Sequence, residues 1–568
     1  MLPSLLELHL DISELDDLPQ FLPYVNFTSL LVFDLSYNNF NSSLPQWLFN
    51  ISTLVTINLA NCHLAGSIRE TSWVNLCSLQ SLDLFGNSIS GGMEEFLHSL
   101  SGCSNSIIET LDFSYNQFSG NLPESLGSLK YLDALSLTLN SISGPLPMSI
   151  GNLSHLSMLD LSFIVMNSIP ESIGQLAEIL SSITISNCQL GPSFPLWLRT
   201  QKEVSSITLS NNAIVDAIPD WFWTLVQNVW LLDLSTNQLT GKLPQSIHSS
   251  SELGVIVNLD SNCLEGSLPL WRNATSLYFG NNRFSGQIPL NIGQEMTALK
   301  TLDLSRNYLN GSISPSISRI KNLTVLVLSK NDLSRNIPWL WKGLQKLIVI
   351  DLSENKLQGA NIFTGNIPEQ LCQLPLKVLD LSQNNILGSI PKCLGNLEVM
   401  KDVGIMFKLP PSFWQPPPSV YLELIVKGRL YEYSDLIGLL RIIDLSSNNL
   451  SGEIPEEITN LSTLFALNLS QNQLIGRIPE SIGSLSRLES LDLSTFDDGD
   501  AQAKENTVED EDGYENLWFY TSTAFGFIVG FWVVFGSLVI KRSWRHAYFQ
   551  YLDKMKNRCA MVFNLDMA

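Results

Sequence analysis

Leu299-Lys300-Thr301-Leu302-Asp303-Leu304-Ser305-Arg306-Asn307 decides the fold. Its pattern, Leu-x-x-Leu-x-Leu-x-x-Asn, returns along almost the whole chain. Leu79, Leu82, Leu84 and Asn87 repeat it, as do Leu376, Leu379, Leu381 and Asn384. The last position of the pattern falls at Asn38, Cys62, Asn87, Asn116, Asn140, Ile164, Cys188, Asn212, Asn237, Asn262, Asn282, Asn307, Asn331, Asn355 and Asn384. It resumes at Asn448 and Asn472 and lands on Phe496. Most steps are 24 or 25 residues, and two steps of 29 hold short insertions. Leu5, Leu8, Leu10 and Ser13 extend the register backward.

Alternating Leu-x-Leu specifies a short strand with one buried face. One such unit cannot bury that face alone, so successive coils must stack and share a core. The Asn amide at the end of each strand can satisfy backbone groups of neighbouring coils. Cys62 and Cys188 at the same place suit small buried thiols that donate weakly. A second signature follows: Ser119-Gly120-Asn121-Leu122-Pro123, Thr240-Gly241-Lys242-Leu243-Pro244, Ser285-Gly286-Gln287-Ile288-Pro289 and Ser451-Gly452-Glu453-Ile454-Pro455. Gly permits a tight bend there and Pro ends regular pairing.

Together these residues resemble the plant-specific class of leucine-rich repeats, over roughly residues 2–496. The resemblance implies an α/β solenoid: a plant-type leucine-rich-repeat superhelix with short parallel strands on its concave face. The step from Asn384 to Asn448 is 64 residues, about 40 more than one repeat. The excess, 397–439, includes the Pro-rich run 410–418 and resembles the island of plant leucine-rich-repeat receptors. Its Trp414, Tyr421, Lys427, Arg429 and Tyr431 are candidate contact residues. Repeats therefore occupy 1–396 and 440–496.

Composition narrows the function. The 568 residues hold 32 Lys+Arg against 54 Asp+Glu, a net charge of −22, which excludes the basic surface of a nucleic-acid binder. Hydrophobic residues make up 45% and charged ones 15%, so disorder is excluded too. Eight Cys without a Cys-x-x-Cys pair and six scattered His offer neither a zinc ribbon nor a metal cluster, and no cofactor fingerprint appears. Asp83, Asp303 and Asp380, which recur in Leu-Asp-Leu, are expected to point outward into solvent rather than to form a carboxylate pair for catalysis. No enzyme activity is expected.

After the repeats, 497–516 is an acidic spacer carrying Asp497, Asp498, Asp500, Glu505, Glu509, Asp510, Glu511, Asp512 and Glu515. Residues 517–540 are uncharged and long enough for one transmembrane helix. Trp518, Phe519 and Tyr520 sit at its outer end as an aromatic anchor, and Lys541, Arg542 and Arg545 follow it. The positive-inside rule puts the repeats outside the plasma membrane and the tail, 541–568, in the cytoplasm. Gly526 and Gly530 leave a groove where a partner helix can approach. The tail is too short for a kinase, and Trp544-Arg545-His546-Ala547-Tyr548-Phe549 resembles that of the plant receptor-like proteins, the kinase-lacking class of the fungal-xylanase receptors and Cf-type resistance proteins. That resemblance implies an immune receptor that binds a microbial protein or peptide and signals through leucine-rich-repeat receptor kinases, as adaptor and co-receptor. A developmental peptide co-receptor and a polygalacturonase-inhibitor-like binding protein are the alternatives. Against the family pattern, repeat register begins at Met1 and Leu493-Ser494 runs straight into the spacer, so a truncated or internally deleted version is expected.

An extracellular position gives meaning to the Asn-x-Ser/Thr sequons at Asn26, Asn41, Asn50, Asn152, Asn273, Asn310, Asn322, Asn449, Asn460 and Asn468. Asn26, Asn50, Asn152 and Asn460 share one phase, twelve residues before the ladder position, whereas Asn468 lies on the strand face. Cys77 with Cys103 and Cys372 with Cys393 are about one repeat apart and are expected to form disulfides. By phase, Tyr37, Phe85, Tyr115, Trp230 and Tyr278 stand on or beside the concave face as candidate ligand contacts.

Overall fold

Most Leu-x-Leu segments form a three-residue strand whose middle residue is buried, as Leu82 is in Ser81–Asp83 and Leu302 in Thr301–Asp303. These assignments come from a computed structural model that describes residues 3–494 except 23–26, 68–72, 104–105, 167, 177–178, 253, 339–340, 359–365, 402–421, 427–428 and 434–439. The described residues belong to one unit, Met1–Asp498. The spacer, the apolar stretch 517–540 with Gly526 and Gly530, and the tail lie outside the described residues. So do Asn26, Trp414, Tyr421 and Lys427. Among the described residues no helix is long and apolar enough to cross a membrane.

The strands pair in parallel, coil upon coil, Ser81 opposite Thr110 and Thr301 opposite Val325, building a 19-stranded sheet. Their inward leucines join one core that runs from Leu18 to Leu485. Asn237 shows what the ladder residue contributes. Its Nδ2 donates to the carbonyls of Leu209 (3.0 Å), Leu234 (3.0 Å) and Ser235 (3.1 Å). Its Oδ1 accepts from the backbone N–H of Asn212 (2.9 Å) and Ile214 (3.1 Å). One amide thus ties two coils together where neither helix nor sheet could satisfy the backbone. At Cys62 the thiol replaces the amide, donating to Leu35 O at 3.0 Å, and burial pushes its pKa up to about 11. Cys188 donates to Leu161 O at 2.9 Å in the same way.

The return side of the coil corrects the helical half of the α/β expectation. Among the described residues eight coils carry a five-residue 3-10 helix directly after Pro, such as Gln46–Asn50, Glu124–Ser128 and Glu456–Asn460. Among the described residues only Met93–Ser101, Phe222–Leu225 and Ile292–Glu295 are α-helical. A 24-residue coil must get back to its start in few residues, and the 3-10 turn advances about 2.0 Å per residue against 1.5 Å for the α-helix. Between strand and helix, the Ser-Gly segments form a second parallel sheet in three pieces. In the strand Gln117–Gly120, Gly120 takes the bend at φ +84° and Pro123 follows.

The solenoid ignores the insertion. Val378–Asp380 pairs directly with Ile442–Asp444, and Asn448 Nδ2 donates to Leu381 O at 2.9 Å across it. The departure also starts later than 397. Leu397 and Met400 are buried, and Thr463 N–H donates to Met400 O at 3.0 Å, so regular stacking holds through Lys401. Within the insertion Leu422–Val426 and Arg429–Tyr433, the latter holding Arg429 and Tyr431, form an antiparallel hairpin.

Cys77 and Cys103 form a disulfide with 5.5 Å between Cα atoms, and Cys372 and Cys393 form one at 5.7 Å. Each bridges adjacent coils. Replacing both Cys77 and Cys103 by Ser is expected to cost about 2–4 kcal/mol, because the bridge closes a loop of 26 residues in the unfolded chain. Urea unfolding compared with the unsubstituted chain measures it; an unchanged midpoint would contradict the estimate.

Candidate ligand-binding face

The outward side of the long sheet is the concave face in a solenoid of this kind, and strand alternation decides what stands on it. The last residue of each strand points there, giving a row that includes His9, Asp34, Asn58, Asp83, Asp112, Asp160, Asp233, Asp303, Asp351, Asp380, Asp444 and Asp492. These carboxylates are not the solvated lattice expected from sequence. Asp303 and Asp380 are only 5% and 3% exposed. Each accepts from the residue two positions on: Asp303 Oδ1 takes Ser305 N–H at 2.9 Å and its hydroxyl at 2.7 Å. Burial pushes Asp303 up to about 7 against those hydrogen bonds, and the charges of Asp260 and Asp351 push the same way. Burial also holds Asp380 well above the usual range, reinforced by Asp444 and Asp351 on the neighbouring strands.

Asp83 shows the consequence. Burial lifts it to about 6, opposed by the Phe85 N–H and reinforced by Asp112 and Asp34. The unfolded carboxyl releases its proton near 3.9. Between those two values the folded chain binds more protons, so stability falls as pH rises from about 4 to 6 and then levels. Asp83→Asn keeps an acceptor for Phe85 and removes the titration. The variant is expected to be more stable than the parent at pH 7, by at most about 2–3 kcal/mol, and to lose that advantage at pH 4. Urea midpoints at both pH values test this.

Beside the aspartates runs a second row, at the residue just before the ladder position. Here every coil needs a left-handed backbone: Tyr37 (φ 57°), Tyr115 (55°), Phe163 (57°), Arg306 (52°), Lys330 (55°) and Glu354 (51°). Tyr37, Tyr115 and Phe163 are 48%, 40% and 46% exposed. Phe85 stands one residue earlier and packs edge-on against Tyr115, ring centres 5.1 Å apart. Of the five aromatics expected to contact ligand, only these two meet. Tyr37 lies on an earlier coil, and Trp230 is half-exposed ahead of strand Leu231–Asp233. Tyr278 departs from expectation. It ends strand Ala274–Tyr278, only 7% exposed, in an apolar cluster with Val325, Val327, Val349, Val378 and Ile442. Sequence reading passes over Phe163 because its coil carries Ile164 where Asn is usual. The signal is present nonetheless, as Asp160-Leu161-Ser162-Phe163 repeats the order of Asp34-Leu35-Ser36-Tyr37 and Asp112-Phe113-Ser114-Tyr115.

One group of metal-type donors also comes together, against the sequence expectation. His9, Asp11 and Asp34 bring ligand atoms within 4.8 Å of one another. His9 stands 3.5 Å from Glu7 and 3.9 Å from Asp34, and exposed acidic groups commonly gather in this way without an ion. Of the sequons, Asn50, Asn152 and Asn460 each end a 3-10 helix with an exposed side chain. Asn41, Asn310 and Asn322 are exposed as well, while Asn273 and Asn449 are half-buried. Asn468 occupies the aspartate row and donates to Asp444 Oδ2 at 3.0 Å, the least suitable place for a glycan.

Comparison with known proteins agrees with this architecture. Seven stretches, 29–51, 78–103, 108–129, 298–320, 375–397, 439–461 and 463–485, match the Leucine Rich Repeat family model. Receptor-like protein EIX2 of Solanum lycopersicum is 30% identical over 511 residues, covering 68% of this chain and 49% of its own length. Receptor-like protein 39 of Arabidopsis thaliana is 32% identical over 556 residues, covering 82% and 61%. The chain belongs to the plant leucine-rich-repeat receptor-like proteins. It spans less than two thirds of either relative. Among solved structures, this receptor-like protein resembles the ectodomain of the Arabidopsis thaliana receptor kinase GASSHO1/SCHENGEN3, solved with CASPARIAN STRIP INTEGRITY FACTOR 2. The TM-score is 0.66 and the identity 26%, over 83% of this chain and 54% of that one. The Arabidopsis receptor kinase HAESA, solved with the peptide hormone IDA and the co-receptor SERK1, gives a TM-score of 0.62 at 26% identity, over 89% and 85%.

Proposed function

We propose that this receptor-like protein is a cell-surface receptor of plant innate immunity, not an enzyme. Its repeats bind a microbial protein or peptide, residues 517–540 cross the plasma membrane once with the repeats outside, and partner receptor kinases carry the signal. The observation that supports the reading best is the row of half-exposed aromatics, Tyr37, Tyr115 and Phe163, on the rigid sheet face. Exposed rings contribute little to folding and much to interfaces. Trp414, Tyr421, Lys427, Arg429 and Tyr431 of the insertion are further candidate ligand contacts, and glycans at Asn50, Asn152 and Asn460 decorate the return side. A developmental peptide co-receptor is the second reading, favoured by the peptide hormone bound to HAESA.

Expression of the full chain with a C-terminal tag in plant cells tests the topology. External protease should remove the repeats and spare the tag; recovery of the intact chain in the soluble fraction would refute the anchor. A defence response to apoplastic microbial fractions, absent in cells lacking the chain, separates immunity from development. Gly526→Leu with Gly530→Leu is expected to reduce co-purification of partner kinases at least about tenfold, since Leu side chains prevent close helix approach. Equal recovery would reject the helix contact.

A further inference from the structure

The charge of the chain is not evenly spread. Residues 1–186 hold Arg69 and Lys130 against 17 Asp+Glu, so 2 − 17 gives −15 of the total −22. Lys130, the one described cation of that stretch, lies in the turn ahead of strand Ala134–Ser136, away from the aspartate row. Four coils of this acidic half repeat one juxtaposition. Each carries an aspartate at the end of its strand and an aromatic ring two or three residues on: Asp34 with Tyr37, Asp83 with Phe85, Asp112 with Tyr115 and Asp160 with Phe163. The later coils place Thr236, Arg306, Lys330, Glu354 and Gln383 where the first half has its rings.

We propose that this acidic half of the face, from strand Val32–Asp34 to strand Met158–Asp160, is the docking surface for a basic, arginine-bearing segment of the extracellular protein ligand. The proposal deepens the receptor reading and rests on it. Three observations carry it. None of Asp83, Asp112 and Asp160 has an ion-pair partner among the described residues, and burial holds all three above the usual carboxylate range. An incoming cation relieves that unfavourable charge. The rings bring the other half of the chemistry, because a planar guanidinium stacks on an aromatic face while its N–H groups reach a carboxylate. Tyr115 and Asp160 are close enough to feel each other: after burial, the charge of Asp160 is the second cause that raises the Tyr115 hydroxyl. Finally, the rings have no folding reason to be there. The left-handed position is met at lower cost by Asn, as at Asn61, Asn187 and Asn211, yet Tyr37, Tyr115 and Phe163 are aromatic and half-exposed.

Spacing fits an extended partner. Asp112 and Asp160 lie two strands apart, about 9–10 Å at the usual separation of paired strands, which three residues of extended chain span. A segment crossing the coils can therefore present one guanidinium to each.

Fluorescence anisotropy of a labelled eight-residue peptide of alternating Arg and Gly, against the full chain in detergent micelles at physiological salt, tests the proposal. A Glu-Gly peptide serves as the control. The parent chain should bind the Arg peptide and not the Glu peptide. Tyr115→Ala with Phe163→Ala, which leaves the net charge unchanged, should weaken binding about tenfold. Asp112→Asn with Asp160→Asn should weaken it by a similar factor, about tenfold. Asp351→Asn with Asp380→Asn alters the same two carboxyl groups in the other half and should change affinity by less than about twofold. Unaltered binding by the aromatic variant, an equal loss in the distant aspartate variant, or no binding by the parent would each overturn the assignment. Parent-like proteolysis patterns show that the variants are folded. The assay needs neither membrane insertion nor kinase, so a chain that binds the peptide but never reaches the cell surface would refute the receptor reading alone.

Discussion

Asn237→Leu is expected to lower the stability of the solenoid by about 3–5 kcal/mol although the two side chains share the same branched arrangement of heavy atoms. Leucine fills the space but leaves two backbone N–H groups, of Asn212 and Ile214, and the carbonyls of Leu209, Leu234 and Ser235 without the amide that now satisfies them. Each buried orphan costs about 1–3 kcal/mol, and the Asn sits between coils where water cannot replace it. Asn237→Asp is informative beside it. The carboxylate keeps acceptors for Asn212 and Ile214 but turns the three donor contacts into oxygen–oxygen repulsion, so it should be at least as damaging near neutral pH. Urea unfolding followed by hydrogen exchange of the coils around 209–237 measures both. A loss below about 1 kcal/mol for Asn237→Leu would mean that the ladder amide is dispensable.

Gly293→Ala is expected to be as damaging, for a steric reason. A Cβ on Gly293 would lie 1.7 Å from the carbonyl oxygen of Ser316 on the next coil, and one on Gly395 would lie 1.9 Å from that of Glu457. Backbone cannot yield as a flexible side chain can, so the coils must part, opening core on both sides. Forced overpacking of this kind costs about 1–3 kcal/mol or more. Gly483 occupies the same place in the coil of the 3-10 helix Glu480–Ser484, yet a Cβ there meets nothing within 4 Å. Gly483→Ala should therefore be neutral or slightly stabilising, since alanine restricts the unfolded chain. The contrast between these two variants, read as a difference in urea midpoint, isolates inter-coil contact from local propensity. Equal effects would contradict the stacking argument.

Sequence alone discloses this architecture because one side-chain pattern has one structural meaning: a buried leucine every second residue makes a strand, and a buried amide every 24 residues makes a stack. Asn237, Cys62 and Cys188 do in space what their phase says. The candidate ligand face is less legible. Phase places Tyr37, Phe85 and Tyr115 on the concave side, but it cannot say that Tyr278 joins an apolar cluster, since burial there depends on which residues the neighbouring coils supply. Nor does Leu-Asp-Leu reveal that its aspartates are withdrawn from water. An outward-pointing residue on an isolated strand would be solvated; in a stack, the flanking coils and its own Ser hydroxyl take the place of solvent. The helical side differs from the α/β expectation, which came from the resemblance alone, because the fixed length of the return path selects the tighter turn.

The ladder that continues from Asn384 to Asn448 has a consequence for engineering and for evolutionary change. With both rims of the break already zipped together, whatever occupies 402–439 is a cassette in a closed socket. Its exchange charges the host only loop closure, about 0.6 kcal/mol for each doubling of length. Foreign segments can thus be grafted at that one place while the scaffold that displays them stays untouched.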